Sequence, residues 1–268
     1  MEALTILPTD DELISFCAKK IIGHRKKRKA LFTSPFYQKD HTDDEVLEWG
    51  KKNLAPILEE GEEVIKRKDW DLQGLVGASE KQLLHPHFEV MKNYFFSNYN
   101  PQHDVAVVML CANKKPYRTN FVINSYYKLA TGKADFFILS NPGVIPAEYD
   151  NYYPFRWYEW PEDQETKEIK QLYTDVTKQR IEEWFNHFPY KKILCAVRPG
   201  ETLTSFNDSN IPQEKYSLFE GDNWERLKIE ALEAKFKGNV GLFKTRLLNL
   251  TLTHELFTQT LNKIAERN

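Results

Sequence analysis

"VAVVMLCANKKPYRTN", residues 105–120, decides the fold. Its first half, Val105 to Ala112, is an apolar run with no polar break, long enough for a strand buried on both faces and far too short to cross a bilayer. The second half is a loop carrying two lysines, two asparagines, Pro116 and Tyr117. Two more apolar runs follow, "ADFFILS" (134–140) and "KILCAV" (192–197). Between them, "PEDQETKEIKQLYTDVTKQRIEEWFNHF" opens on proline and acids and sets Ile169, Leu172, Tyr173 and Val176 along one helical stripe. Strand, helix, strand in that order predicts right-handed crossovers and a parallel sheet. In such a sheet the ligand crevice lies beyond the carboxyl ends of the strands.

The expected fold is therefore α/β, with a central, mainly parallel sheet flanked by helices. Residues 1–268 read as one domain. Residues 1–100 form a helical elaboration, in which "DDELISFCAKKII", "DDEVLEWGKKNL" and "HPHFEVMKNYFF" carry three- and four-residue apolar spacing; residues 101–200 form the core, and residues 201–268 a helical end. Phe243, Leu247, Leu250, His254, Phe257, Leu261 and Ile264 predict one long C-terminal helix. His254 sits on its apolar stripe and reads as a hydrogen-bonded core histidine rather than a catalytic one.

Composition narrows the function. Hydrophobic residues at 41% and charged residues at 28% are ordinary for a globular protein. Three cysteines without CxxC spacing argue against a disulfide framework or a structural zinc, and with no secretory signal the expectation is a cytoplasmic protein with no membrane span, no metal and no cofactor. No Walker loop, GxGxxG, HExxH or GxSxG motif occurs. The formal charge is -2, yet "KKIIGHRKKRK" (19–29) gathers seven basic residues. Its Arg25, Lys26, Lys27 and Arg28 read either as a patch facing phosphates or as a solvated helix end.

If the three strands are parallel, the loops "ANKKPYRTN", "NPGVIPAEYDNYYPFRWYEWP" and "RPGETLTSFNDS" converge on one sheet edge. The second loop holds Tyr149, Tyr152, Tyr153, Phe155, Trp157, Tyr158 and Trp160. Aromatic rings either stack bases or build cores. Trp157 and Trp160 are assigned to the core, Tyr149 and Tyr158 to a pocket wall and Asn141 to the base pocket, while Glu148 and Glu159 read either as acceptors for a base edge or as solvated acids.

"VVMLCANKKPY" resembles in layout the first active-site motif of the uracil-DNA glycosylase superfamily. More closely, "CANKKPYRTN" resembles the Cys-x3-Lys-Pro-Tyr signature of the glycosylase-like domain of archaeosine synthase, with Leu110, Asn120 and Ile123 where that signature has Pro, Ser and His. The Pro-rich second loop is similar to that domain's later segment, so the likeness runs over roughly residues 80 to 200. The resemblance implies a uracil-DNA glycosylase-like fold and, as first expectation, a DNA glycosylase that flips and excises a modified base, with a role in defence against phage DNA. In that reading Asn113 and Asn120 place water and Lys115 stabilises the departing base. Tyr117 stacks on the base, and Lys114, Arg118 and Arg198 hold the backbone of the partner, DNA with modified bases. The alternative is archaeosine-like: Cys111 or a bound amine adds to the nitrile of 7-cyano-7-deazaguanine in tRNA or DNA. A third expectation is a noncatalytic module that binds a modified base.

Overall fold

The structure is a computed structural model that describes residues 44, 48, 64–112 and 115–266. Cys17, the basic run 19–29 and nearly all of the two first expected helices lie outside the described residues. The chain divides into two compact units, residues 1–73 with 151–158, and residues 74–150 with 159–268. In the smaller unit Trp70 stacks on Tyr153 with ring centroids 4.7 Å apart and donates its indole N–H to Ile65 O at 2.9 Å. The Tyr153 hydroxyl accepts from the Asp71 amide at 2.8 Å.

The larger unit carries the sheet. Its elements run α1 (Glu80–Leu83), α2 (Pro86–Asn98), β1 (Val105–Leu110), α3 (Phe121–Ala130), β2 (Asp135–Ser140), β3 (Gly143–Pro146), α4 (Lys167–His187), β4 (Lys192–Cys195), α5 (Glu201–Asn207), β5 (Glu214–Ser217), α6 (Gly221–Leu227), α7 (Val240–Arg246) and α8 (Thr251–Ala265). The strands lie in the order β3-β2-β1-β4-β5. β1 pairs in parallel with β2 and β4, and β4 in parallel with β5.

The unbroken apolar character of β1 now has its reason. Val105 to Met109 are at most 1% exposed because the strand is central and covered on both faces. Successive residues of β2 show the two faces. Phe136 meets Tyr127 of α3, whereas Phe137 meets Trp184 and Phe185 of α4. At the amino edge, buried Asp135 accepts from the Gln102 amide at 2.9 Å and from the Tyr190 hydroxyl at 2.7 Å, and pairs with His103 at 2.7 Å. This fixes the entry to β1 and β2.

Two expectations are corrected. The stretch after β2 is not one long loop. Asn141 and Pro142 turn the chain into β3, which runs antiparallel along β2 with Pro146 opposite Phe137. Gly143 makes this turn at φ +114°, a backbone conformation that disfavours a side chain, and a Cβ there would stand 3.1 Å from the Arg180 side chain. The C-terminal stripe is likewise not one helix. It breaks at the 3-10 turn Leu247–Asn249, where Thr253 Oγ1 donates to Leu247 O at 2.7 Å, and only then becomes α8. His254 is half-buried, with Nε2 3.1 Å from Leu248 O and its ring against Tyr126, as a core histidine should be.

Cys195 ends β4 with no exposure, and burial pushes its thiol from 9.0 up to about 12. A folded-state value above the unfolded one means that this contribution to stability is complete below about pH 9 and is lost as pH rises towards 12. Iodoacetamide at pH 8 is therefore expected to alkylate half-buried Cys111 and to spare Cys195 in the folded protein, a difference that peptide mass mapping reads directly.

Candidate functional site

Because β1, β2 and β4 are parallel, their last residues open on one edge of the sheet. The Cys111 amide donates to Leu139 O at 3.0 Å and carries the β1–β2 ladder one residue further, which roots the half-buried thiol at the tip of the central strand. Asn141 follows β2 at the same edge and is 7% exposed. After β4 the chain stays buried through Ala196 and Val197 and then presents Arg198, which is half-exposed and makes no hydrogen bond or ion pair with the described residues.

Helix α4 supplies the wall. Tyr173, Thr177 and Arg180 recur at four and three residues, so they share one stripe of that helix. Burial holds the Tyr173 phenol neutral well above its ordinary range, and the nearby Cys111 thiol adds to this; the Thr202 and Thr177 hydroxyls act in the opposite direction. Trp160 packs 5.9 Å from the Tyr173 ring and donates to Glu165 Oε1 at 2.5 Å. Arg180 is 6% exposed. Its guanidinium donates to the main-chain oxygens of Asn141 and of Leu83, the latter at 2.9 Å, and so locks the β2–β3 turn against α4.

The side-chain nitrogen of Asn141 has no hydrogen-bond partner among the described residues, and the Thr177 hydroxyl, on a residue 1% exposed, interacts with the Tyr173 hydroxyl. Leaving a buried donor unmet costs about 1–3 kcal/mol, so such atoms mark where an incoming ligand is rewarded.

The remaining expected residues divide by location. Asn113 and Lys114 lie outside the described residues, as do Arg25, Lys26, Lys27 and Arg28. Lys115 is half-buried with Nζ 5.9 Å from the ring centroid of Tyr117, which is fully buried. Arg118 is engaged in architecture. Its amide donates to Asp150 Oδ2 at 2.6 Å and its guanidinium to Oδ1 at 3.1 and 3.2 Å. The Asn120 carboxamide oxygen caps α3, accepting from the amides of Val122 and Ile123 at 2.9 and 3.4 Å.

Glu148 and Tyr149 follow β3, so they stand level with the start of β2 rather than at its carboxyl end. Crowding around the Glu148 carboxyl raises its pKa, with Asp135 and Asp150 adding to the effect, although the residue itself reaches the surface. Tyr149 packs edge-on against Phe95 at 4.9 Å. Tyr158 is 4% exposed and belongs to the smaller unit. Of the expected set, Asn141 and Arg198 stand at the edge that Cys111 shares, and Lys115, Tyr117 and Asn120 lie in the loop that leaves it towards α3. Tyr173, Thr177, Arg180 and Thr202 were missed. The available signal was a polar stripe at 173, 177 and 180 running beside apolar Val176, Ile181 and Trp184 on the buried side of α4.

Among the described residues no group of three or more His, Cys, Asp or Glu side chains is placed to hold a metal ion, and no helix is long and apolar enough to cross a membrane.

The fold is that of a mixed α/β protein whose five-stranded sheet is flanked by helices, with Cys111, Asn141 and Arg198 at the carboxyl ends of its parallel strands. Residues 90–236 match the family described as "Domain of unknown function (DUF5591)", and the chain belongs to it. Over 169 residues, 59% of the chain, it is 22% identical to the archaeosine synthase subunit alpha of Thermoplasma acidophilum. It spans 31% of the length of that relative. Among solved structures it is similar to the crystal structure of AF0587, a protein of unknown function, with 19% identity, a TM-score of 0.37, and coverage of 51% of this chain and 49% of that one.

Proposed function

We propose that this chain modifies a nucleobase within RNA, with tRNA as the carrier, by adding a nucleophile to the nitrile carbon of a 7-cyano-7-deazaguanine. The observation that carries the reading is the half-buried Cys111 thiol at the tip of the central strand, beside a phenol held neutral and the buried side-chain nitrogen of Asn141, which has no hydrogen-bond partner among the described residues. The similarity to archaeosine synthase supports nitrile addition rather than base excision. Asn120, one of the two expected water-placing residues, is engaged as a helix cap.

The chemistry balances without a redox step. Cys111 Sγ bonds to the nitrile carbon, one C≡N π bond opens, and the thiol proton passes to the nitrogen, giving a thioimidate. An amine then bonds to the same carbon, the C–S bond breaks, and the thiolate recovers a proton from the attacking nitrogen. The product is an amidine. The neutral Tyr173 hydroxyl donates to the nitrogen as charge develops there, and the Asn141 amide and Thr177 hydroxyl meet the edge of the base.

The test is incubation of the protein with a tRNA transcript carrying 7-cyano-7-deazaguanine and with labelled lysine, followed by nuclease digestion and mass spectrometry; a DNA carrier run in parallel identifies the scaffold. A nucleoside heavier by one lysine is expected from the RNA. Free base with an abasic site would instead establish excision, and binding with neither product would leave a recognition module.

A further inference from the structure

We propose that Phe121 is a stacking platform for the nucleobase adjacent to the one that enters the carboxyl-edge site. The inference rests on the reading that RNA approaches this edge. Phe121 is 80% exposed, more than any other large hydrophobic side chain among the described residues, so the fold itself gains almost nothing from it. Its place follows from topology. Helix α3 connects β1 to its parallel neighbour β2, so it must begin on the carboxyl side, where β1 ends, and return to the amino side, where β2 starts. Phe121 is its first residue.

The root of the ring is rigid. The turn before it closes through the Thr119 amide to Pro116 O at 3.0 Å and the Asn120 amide to Tyr117 O at 2.8 Å. Asp150, fully buried, holds Arg118 from the other side, and the Asn120 carboxamide caps the helix. Only the two side-chain torsions of Phe121 remain to be settled on binding, which keeps the ordering cost of a stack low.

The surroundings select the kind of partner. On the helix surface the neighbours of Phe121 at three, four and seven residues are Asn124, Ser125 and Lys128, all polar, so the ring is not part of an apolar patch of the sort that seats a protein. The half-buried Lys115 precedes it in the same loop, and Arg198, which makes no hydrogen bond or ion pair with the described residues, follows the neighbouring strand β4. An exposed aromatic ring on the same edge as basic side chains is how sequence-tolerant proteins hold single-stranded nucleic acid, with a base on the ring and phosphates on the charges.

The test uses the full chain and a short single-stranded RNA containing one 2-aminopurine, whose fluorescence is quenched on stacking. Wild type is expected to quench it, and Phe121→Ala to lose the quench and to bind on the order of tenfold more weakly. Phe121→Trp is expected to keep both, and circular dichroism of the variants to match wild type because the ring packs against little. Wild-type binding that is unchanged in Phe121→Ala, with the quench intact, would overturn the platform while leaving the RNA reading in place. Failure of the wild type to bind the RNA, together with no product on the nitrile-bearing tRNA, would remove both.

Discussion

Replacing Cys111 with serine is expected to lower amidine formation on a nitrile-bearing tRNA by a factor on the order of 10³ or more, the scale on which loss of a covalent nucleophile acts. Serine keeps the size of the side chain and the ladder bond from the Cys111 amide to Leu139 O, so the strand tip keeps its geometry. What it loses is the thiolate, a far better nucleophile at neutral pH than an alcohol. Cys195 cannot substitute, because it is sealed in the sheet and its thiol is pushed up to about 12. The measurement is a time course of lysine incorporation beside a thermal melt. Activity that survives in Cys111→Ser with an unchanged melt would transfer the attack to the bound amine and end the role of the thiol.

Removal of the Arg180 guanidinium is expected to destabilise the larger unit strongly. The group is buried, donates to the main-chain oxygens of Leu83 and Asn141, and has Glu89 at 3.9 Å. Burial lowers its pKa, with Glu89 and Glu183 acting against that shift. Arg180→Met fills much of the same volume but strands two buried carbonyls, at a cost of about 3–5 kcal/mol. For a body of this size that corresponds to a melting point lower by roughly 10 °C. Arg180→Lys recovers only part, because one ammonium lacks the planar fork that reaches both carbonyls. A melting temperature within a degree or two of wild type for Arg180→Met would show that the clamp contributes nothing. The same substitution frees the turn at Asn141, so base modification is expected to fall with stability.

Much of this organisation is legible in the sequence, and the reasons are physical. β1, β2 and β4 are buried on both faces and therefore spell out continuous apolar runs, while α4 announces itself by its acids and its 3.6-residue period. β3 escapes notice because its four residues follow Pro142 and end on Pro146 in a stretch rich in loop residues, and it is a strand only because β2 offers it an edge. β5, "EKYS", is partly exposed and has no apolar alternation to read. For the site, Cys111 and Asn141 are visible as the residues that end strands. Arg180 is not, since an arginine between Gln179 and Ile181 looks like any solvated helix charge until the turn that it clamps is known. Asn120 misleads for the opposite reason: a polar residue in a site loop suggests chemistry, and a helix cap is written with the same letter.

The two margins of the sheet carry a further consequence. β3 is buried along its whole length and ends on Pro146, which offers no amide to another strand. β5 exposes Glu214, and the ammonium of Lys215 is folded onto the carbonyls of Asn207 and Ser209 at 2.6 and 3.0 Å. A foreign chain seeking to extend the ladder meets proline on one flank and fixed charge on the other. Both margins of this sheet therefore carry features that oppose the addition of a further strand.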